Sequence, residues 1–349
     1  MYIVGLGSYV PGEPITNAML ATVFGDVVHK VGDHFGVTSR HFTLDYQTDR
    51  VMHGGNSDFC VRAIHAALAQ CPHVSLDDVD LIISASSTPD DNLPTLSSVI
   101  QSKLGIQKTM VMDIRGGCAA IIQAILTAKV YMASGLFRTV IVTGSDCCSR
   151  VFYPYLHRNK DRARVKDVMN TLLFGDGAGA VIMQSTPPTS GGFQVEFAES
   201  SSEFADKDPG FIFSLGGSNT SYLGQSDVAL SRVFQHFPKN IERYLQQVIR
   251  LTQDRIQALG VTFADFSHVI GPQANQRLVQ DMNERLMGYR ATYYYVGDRV
   301  GNVPGGALLM ALDSLSKTYE WAVGDNVLLM GMESPKWLYG YAILRRVSL

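Results

Sequence analysis

Excess basic charge is missing: 29 Lys and Arg face 32 Asp and Glu, for a net charge of −3 and a pI near 6.3. That excludes a nucleic-acid footprint, which needs clustered basic excess. Long hydrophobic runs are also missing. The longest apolar segment, 118–130, is broken by Gln123 and Lys129 and is too short for a membrane span. The opening MYIVGLGSYVPG lacks a basic region followed by a long apolar one, so no signal peptide is expected. Cysteines are few and odd in number: Cys60, Cys71, Cys118, Cys147 and Cys148. No metal-ligand spacing links them, so neither a disulfide framework nor a metal site is expected, and a reducing cytoplasm is the simplest setting.

What is present is a chain 46% hydrophobic and 17% charged, the composition of a compact enzyme. Short β-rich apolar runs lie at 2–5, 81–84, 140–143, 180–183, 268–270, 293–296, 327–330 and 341–344. Between them 57–70, 96–104 and 233–259 have helical spacing, the first with Ser57 as its cap. Strands alternating with helices predict an α/β fold with buried parallel strands.

The sequence repeats itself. LDDVDLII (76–83) resembles FADFSHVI (263–270), and TVIVTGSD (139–146) resembles NVLLMGME (326–333); both pairs lie 187 residues apart. MDIRGGC (112–118) corresponds more loosely to VGDRVGN (296–302). A near-constant offset over several elements predicts duplicated halves, 1–185 and 186–349, with PPTSGG (187–192) between them. Packed face to face, they would bring equivalent strand ends together, with Cys118 and Asn302 at corresponding strand-to-helix positions.

Cys118 follows Asp-Ile-Arg-Gly-Gly and opens a segment apolar on nearly all faces, which predicts a buried helix. The two glycines permit a tight turn and close approach of a substrate. A thiol at a helix start meets free N–H groups and the positive end of the dipole, which favours thiolate and can hold an oxyanion. The other four cysteines read as small buried hydrophobes. The segment 152–169 is a long basic-aromatic insertion, of the kind that forms site walls or lids, and its basic part HRNKDRARVK (157–166) reads first as a solvated loop. His157 within it could reach a pocket mouth.

These motifs together resemble the ketoacyl-ACP synthase III family. GLGSYVPGEPITN, FGVTSRH, DIRGGCAA, LLFGDGAGAVIM, PQANQRLV and DRVGNVPGGALLMAL each match a family segment, over nearly the whole chain. The resemblance implies a thiolase-like fold in five αβαβα layers, a homodimer, and acyl transfer through a cysteine thioester. Acyl-CoA or a phosphopantetheinyl acyl carrier protein would be substrates, with no resident cofactor. It assigns catalysis to Cys118 and Asn302, and to Leu93 a place at the partner's acyl pocket.

The sequence departs from the family at three places. Where the family has Pro-His-Gln-Ala-Asn, this chain has Gly271-Pro272-Gln273-Ala274-Asn275, so proline replaces the catalytic histidine. The glycine-rich loop near the C-terminus reads Gly331-Met332-Glu333-Ser334-Pro335-Lys336-Trp337, which puts a carboxylate at the site and leaves Ser334 as a substrate-binding candidate. The aromatic that clamps adenine is replaced by Lys30 or a neighbour, which favours a carrier protein as donor. Glu333 and His157 are candidate catalytic replacements for the histidine. The expected function is transfer of an acyl group from Cys118 to a small-molecule acceptor other than malonyl, an O-, N- or C-nucleophile, in specialised-metabolite or lipid biosynthesis. A decarboxylating 3-oxoacyl synthase and a non-catalytic partner subunit are the alternatives.

Overall fold

The computed structural model describes residues 1–189, 191–203, 205–214, 234–236, 238–275 and 292–348. Its strands in chain order are β1 (Tyr2–Tyr9), the small pair β2 (Ile15–Thr16) and β3 (Ser39–Arg40), β4 (Leu81–Ser86), β5 (Met110–Arg115), β6 (Thr139–Cys147) and β7 (Asp176–Gln184). There follow β8 (Gly192–Ser202), the small pair β9 (Phe211–Phe213) and β10 (Phe234–His236), β11 (His268–Ile270), β12 (Thr292–Tyr293), β13 (Asn326–Met332) and β14 (Leu338–Ser348).

Ten of these strands form one sheet in the order β5-β4-β6-β7-β1-β8-β14-β13-β11-β12. The order is the same from either end, strand for equivalent strand. In the first half β4 pairs in parallel with β5 and β6, while β7 runs antiparallel to β6 and β1. In the second, β11 pairs in parallel with β12 and β13, while β14 runs antiparallel to β13 and β8. Within the sheet the two half-sheets meet where Tyr2 and Ile3 of β1 pair with Gln194 and Phe193 of β8.

Alternation along the strands sets the layers. Leu81 and Ile83 of β4 pack inward with Val140 and Val142 of β6, against the helices Ala120–Ala133 and Ala307–Thr318. The same core takes Val327 and Leu329 of β13 and Ala342 and Leu344 of β14. Both helices therefore lie between the two half-sheets. Ile82 and Ile141 face the other way, against Phe59, Ala63 and Ile64 of the helix Asn56–Leu68. Leu328 and Met330 likewise face Val248 and Ile249 of the helix Pro238–Ala258. Helix, sheet, helices, sheet, helix gives the five-layered thiolase-like arrangement. Burying Ile121, Ile122 and Ile125 in the central layer contributes about 1.5–3 kcal/mol each.

Four sequence expectations shift in detail. The first predicted helix begins at Asn56 rather than behind a Ser57 cap. The Asp90 carboxylate accepts from the Asn56 and Ser57 amides, a partner distant in sequence that no local signal announces. Of the predicted strand 293–296 only Tyr293 and the Tyr294 amide pair with β11, because Gln273 reaches across to accept the Val296 amide at 2.8 Å and turns the chain out of the sheet. The basic part of the insertion, 157–166, is solvated as expected but is not a loop, and the insertion as a whole is largely helical. It holds most of the helix Cys148–Arg158, a 3-10 turn at Lys160–Arg162 and the start of the helix Val165–Leu172. Tyr153, Leu156, Val168 and Leu172 from these pack with Leu20, Val31 and Phe42 into a separate apolar cluster. Its basic residues Arg158, Lys160, Arg162 and Lys166 are exposed. The predicted helix 233–259 begins instead at Pro238, because Phe234–His236 pairs with β9 as β10; residue 233 and residues 276–279 of PQANQRLV lie outside the described residues. Among those described, no helix is long and apolar enough to cross a membrane, and no His/Cys/Asp/Glu cluster could hold a metal ion.

Candidate active site

Cys118 lies in the turn between β5 and the helix Ala120–Ala133. Asn302 lies between β12 and the helix Ala307–Thr318, at the matching place in the second half. The two meet: the Asn302 side chain hydrogen-bonds the Cys118 sulfur. Backbone pairing holds Asn302 in place, its amide donating to Leu173 at 2.9 Å and its carbonyl accepting from Gly175 at 3.0 Å. Its side-chain Oδ1 is buried and has no partner.

Close backbone approach makes this meeting possible. A Cβ on Gly144 would collide with the Gly305 carbonyl, and one on Gly305 would lie 2.8 Å from the Ala85 carbonyl. The loop that carries Asn302 is therefore pressed onto the ends of β4 and β6. On the opposite side, a Cβ on Gly331 would fall 2.6 Å from the Cys118 carbonyl. That contact lets β13 pass directly beneath the cysteine turn and delivers Glu333, two residues on, to it. The Glu333 Oε1 accepts from the Gly117 amide.

Asp146 is the residue that motif reading passed over. It is fully buried at the end of β6, and its carboxylate accepts from the Ser87 amide at 2.9 Å, the Thr88 amide at 2.8 Å, the Thr88 hydroxyl at 2.7 Å and the Gly305 amide at 2.6 Å. It thus ties the Asn302 loop to the first half. The signal was in the repeat, which aligns TVIVTGSD with NVLLMGME and so pairs Asp146 with Glu333.

Burial, together with these carboxylates, reverses the acidity expected of Cys118. Burial, then Glu333, then Asp146 push the Cys118 thiol up to about 12, and the Asn302 hydrogen bond offsets only part of that. The helix-end amide expected to favour thiolate is instead engaged by Glu333, whose carboxylate also draws on the Ala120 amide. Burial lifts Glu333 itself to about 7, with Asp146 adding to the rise and the Gly117 amide opposing it. A thiol so placed is about one part in 10⁵ ionised at pH 7. Alkylation of Cys118 by iodoacetamide, read on its peptide, should therefore be slow at pH 7 and climb nearly tenfold per pH unit up to pH 10. A plateau beginning below pH 8 would contradict this.

The other sequence candidates fall in different places. His157 has its Nδ1 3.8 Å from Asp49, stacks on Tyr153 and packs into the separate cap, with no described contact to Cys118. The Ser334 carbonyl accepts from the Gly210 amide at 2.7 Å in the turn just after Glu333. Leu93 is 81% exposed. It stands between Asn92 and Thr95, which with Ser86, Ile114 and Arg115 line a cavity of about 280 Å³ beside the edge strand β5. Lys30 is exposed on the helix His29–Phe35. Arg40 of FGVTSRH, which sequence reading gave no role, is buried, donating to the Leu172 carbonyl at 3.0 Å and to Asn17 Oδ1 at 2.6 Å. Burial lowers it to about 9.

Residues 112–202, which include Cys118, match the family model described as 3-oxoacyl-[acyl-carrier-protein (ACP)] synthase III. Residues 256–334, which include Asn302 and Glu333, match the model of its C-terminal part. The chain is ketoacyl synthase III-like. It is 26% identical to the beta-ketoacyl-[acyl-carrier-protein] synthase III of Rhodospirillum centenum over 347 residues, 98% of each chain. Among solved structures, AbyA1, a tetronic acid condensing enzyme, superposes with a TM-score of 0.88 at 23% identity, covering 99% of both chains. OleA of Xanthomonas campestris, with bound lauric acid and lauroyl-CoA, superposes with a TM-score of 0.79 at 16% identity, over 99% of this chain and 98% of that one.

Within this synthase III-like chain, Pro272 stands where the family resemblance places a histidine. Its carbonyl accepts from the Tyr293 hydroxyl at 2.7 Å, and Gln273 beside it donates to the Gly271 carbonyl at 2.9 Å. The segment is thus anchored to β12 in the manner of a strand end, and proline adds no side-chain donor or titratable group. The ionisable side chains that weigh on the Cys118 thiol are Glu333 and Asp146.

Proposed function

We propose that this chain is an acyltransferase. In this reading Cys118 takes an acyl group from an acyl carrier protein or acyl-CoA as a thioester and passes it to an acceptor that does not lose carbon dioxide. The acceptor is a small molecule attacking through oxygen, nitrogen or a preformed carbon nucleophile. Exposed Lys30 in place of an adenine-clamping aromatic favours the carrier protein as donor.

One observation carries the reading: two carboxylates, Glu333 and Asp146, face the Cys118 that Asn302 supports. Beside it, Pro272 offers nothing to hold an enolate. A decarboxylating condensation needs donors on the thioester carbonyl as enolate charge develops. Losing one such donor costs about 3–4 kcal/mol. Glu333 and Asp146 would also repel both the malonyl carboxylate and the enolate. Simple acyl transfer needs the sulfur and an oxyanion site only. The likeness in fold to a tetronic acid condensing enzyme supports keeping a carbon nucleophile among the acceptors.

Leu93, Met110 and the free edge of β5 form an exposed apolar margin beside the cavity. In this proposal a second copy covers that margin, which makes a homodimer and closes the acyl pocket. The direct test is to load Cys118 with a hexanoyl group from hexanoyl carrier protein and add malonyl carrier protein. No carbon dioxide above the enzyme-free blank and no β-keto thioester should appear. Prompt release of both would sink the proposal in favour of a condensing synthase.

A further inference from the structure

Asp146 and Glu333 end equivalent strands of the two halves and flank one nucleophile, yet they are held very differently. Asp146 is saturated by the Ser87, Thr88 and Gly305 donors and is fixed. Glu333 has only backbone amides at the cysteine turn and keeps acceptor capacity free for other partners. Gly331 pins its strand against Cys118, so the carboxylate stays within the site. Pro272, where the family resemblance places a histidine, has no titratable side chain to carry a proton.

We propose that Glu333 is the proton carrier of acyl transfer from Cys118, and that the acceptor is a neutral hydroxyl or amine. This rests on the acyl-thioester reading above. In the transfer step, the Glu333 carboxylate takes the proton of the acceptor O–H or N–H as that atom attacks the thioester carbonyl. The tetrahedral oxyanion collapses, the carbon–sulfur bond breaks, and Cys118 leaves with the electron pair and receives the proton from Glu333. The acceptor is acylated, and thiol and carboxylate are both restored. Loading is the same step in reverse order: the Cys118 proton passes through Glu333 to the departing pantetheine sulfur. A carboxylate beside the carbonyl disfavours anionic acceptors, which is why a neutral one is specified. The ionisation of Glu333 at about 7 suits the task, since a base works best near the operating pH. Burial sets it first, the Gly117 amide at the turn opposes the rise, and Asp146 from β6 adds to it. Asn302, from the facing loop, is uncharged, and Lys336, on the turn after Glu333, is tied to the Ala205 and Lys207 carbonyls.

The test loads wild type, Glu333→Gln and Glu333→Ala with hexanoyl from p-nitrophenyl hexanoate and removes the excess. Decay of the acyl-Cys118 mass is then followed in water, with and without glycerol, from pH 5 to 9. Wild-type decay should rise with pH and level off above about 7, as the basic form of Glu333 fills. Glu333→Gln should decay on the order of 10²-fold more slowly or worse, without that inflection. Formate should restore part of the rate to Glu333→Ala. Iodoacetamide alkylation of Cys118 in Glu333→Gln should change the other way and become faster, because a negative neighbour is gone. Equal decay in wild type and Glu333→Gln overturns the proposal. So does slower alkylation together with slower decay, which would make Glu333 a mere support for the turn. If wild-type Cys118 takes up no acyl group at all, the acyltransferase reading itself fails, which is a separate result.

Discussion

Cys118→Ala should yield a folded protein that never gains an acyl mass and transfers acyl groups on the order of 10⁴-fold more slowly, or not measurably. The size follows from the chemistry. Without the sulfur there is no thioester intermediate, and a single direct transfer must replace two easier steps. The fold should tolerate the change. Cys118 is only half-buried, lies in the turn before the central helix rather than within it, and has an alanine at either following position. Its thiol is held by little beyond Asn302, and alanine removes a group whose ionisation the site opposes. Intact mass after incubation with hexanoyl carrier protein, beside a thermal melt, measures both halves of this expectation. A Cys118→Ala protein that still gains an acyl group would move the nucleophile to another residue.

Asn302→Ala should cost about 10²–10³-fold in acyl transfer with little loss of stability. The contacts that fix its loop run through the backbone: its amide to Leu173, its carbonyl from Gly175, and the Gly305 amide to Asp146. What is lost is the donor to the Cys118 sulfur and, during reaction, to charge that develops at the thioester. That donor now lowers the thiol, so its removal should raise Cys118 further. Iodoacetamide alkylation at pH 9 should slow together with acyl transfer, whereas in Glu333→Gln the two should diverge. Side-by-side alkylation and acyl-mass kinetics on the two variants separate a donor to sulfur from a carrier of protons. Unchanged alkylation in Asn302→Ala would mean that the hydrogen bond to sulfur has no energetic weight.

Much of the frame is legible before folding. Seven of the eight apolar runs fall in strands, and the eighth, 293–296, overlaps β12 only at Tyr293; a strand buried on both faces reads as a continuous apolar run, as 81–83 of β4 and 140–142 of β6 do. The 187-residue repeat anticipates the mirrored strand order, since equivalent elements keep equivalent apolar patterns. The pairing of Cys118 with Asn302 follows from that repeat together with the glycines beside them. Where the reading slipped, the cause was a partner distant in sequence. Asp90 caps the helix credited to Ser57, Gln273 draws Tyr295 and Val296 off the sheet, and the cap built on Tyr153 and Leu156 turns an apparent loop into helices.

The main alternation of strands and helices, the repeated pattern and the place of Cys118 at a strand-to-helix turn are properties of the sequence alone. They depend on periodicity and on glycine, which act between near neighbours. The acidity of that nucleophile is not such a property. A cysteine before a helix promises a thiolate, but here burial opposes the charge first, a glutamate 216 residues beyond Gly117 engages the amide at that helix start, and a buried aspartate adds a second negative charge. Electrostatic energy depends on distance in space and on the exclusion of water, and both were set only when the second half folded onto the first.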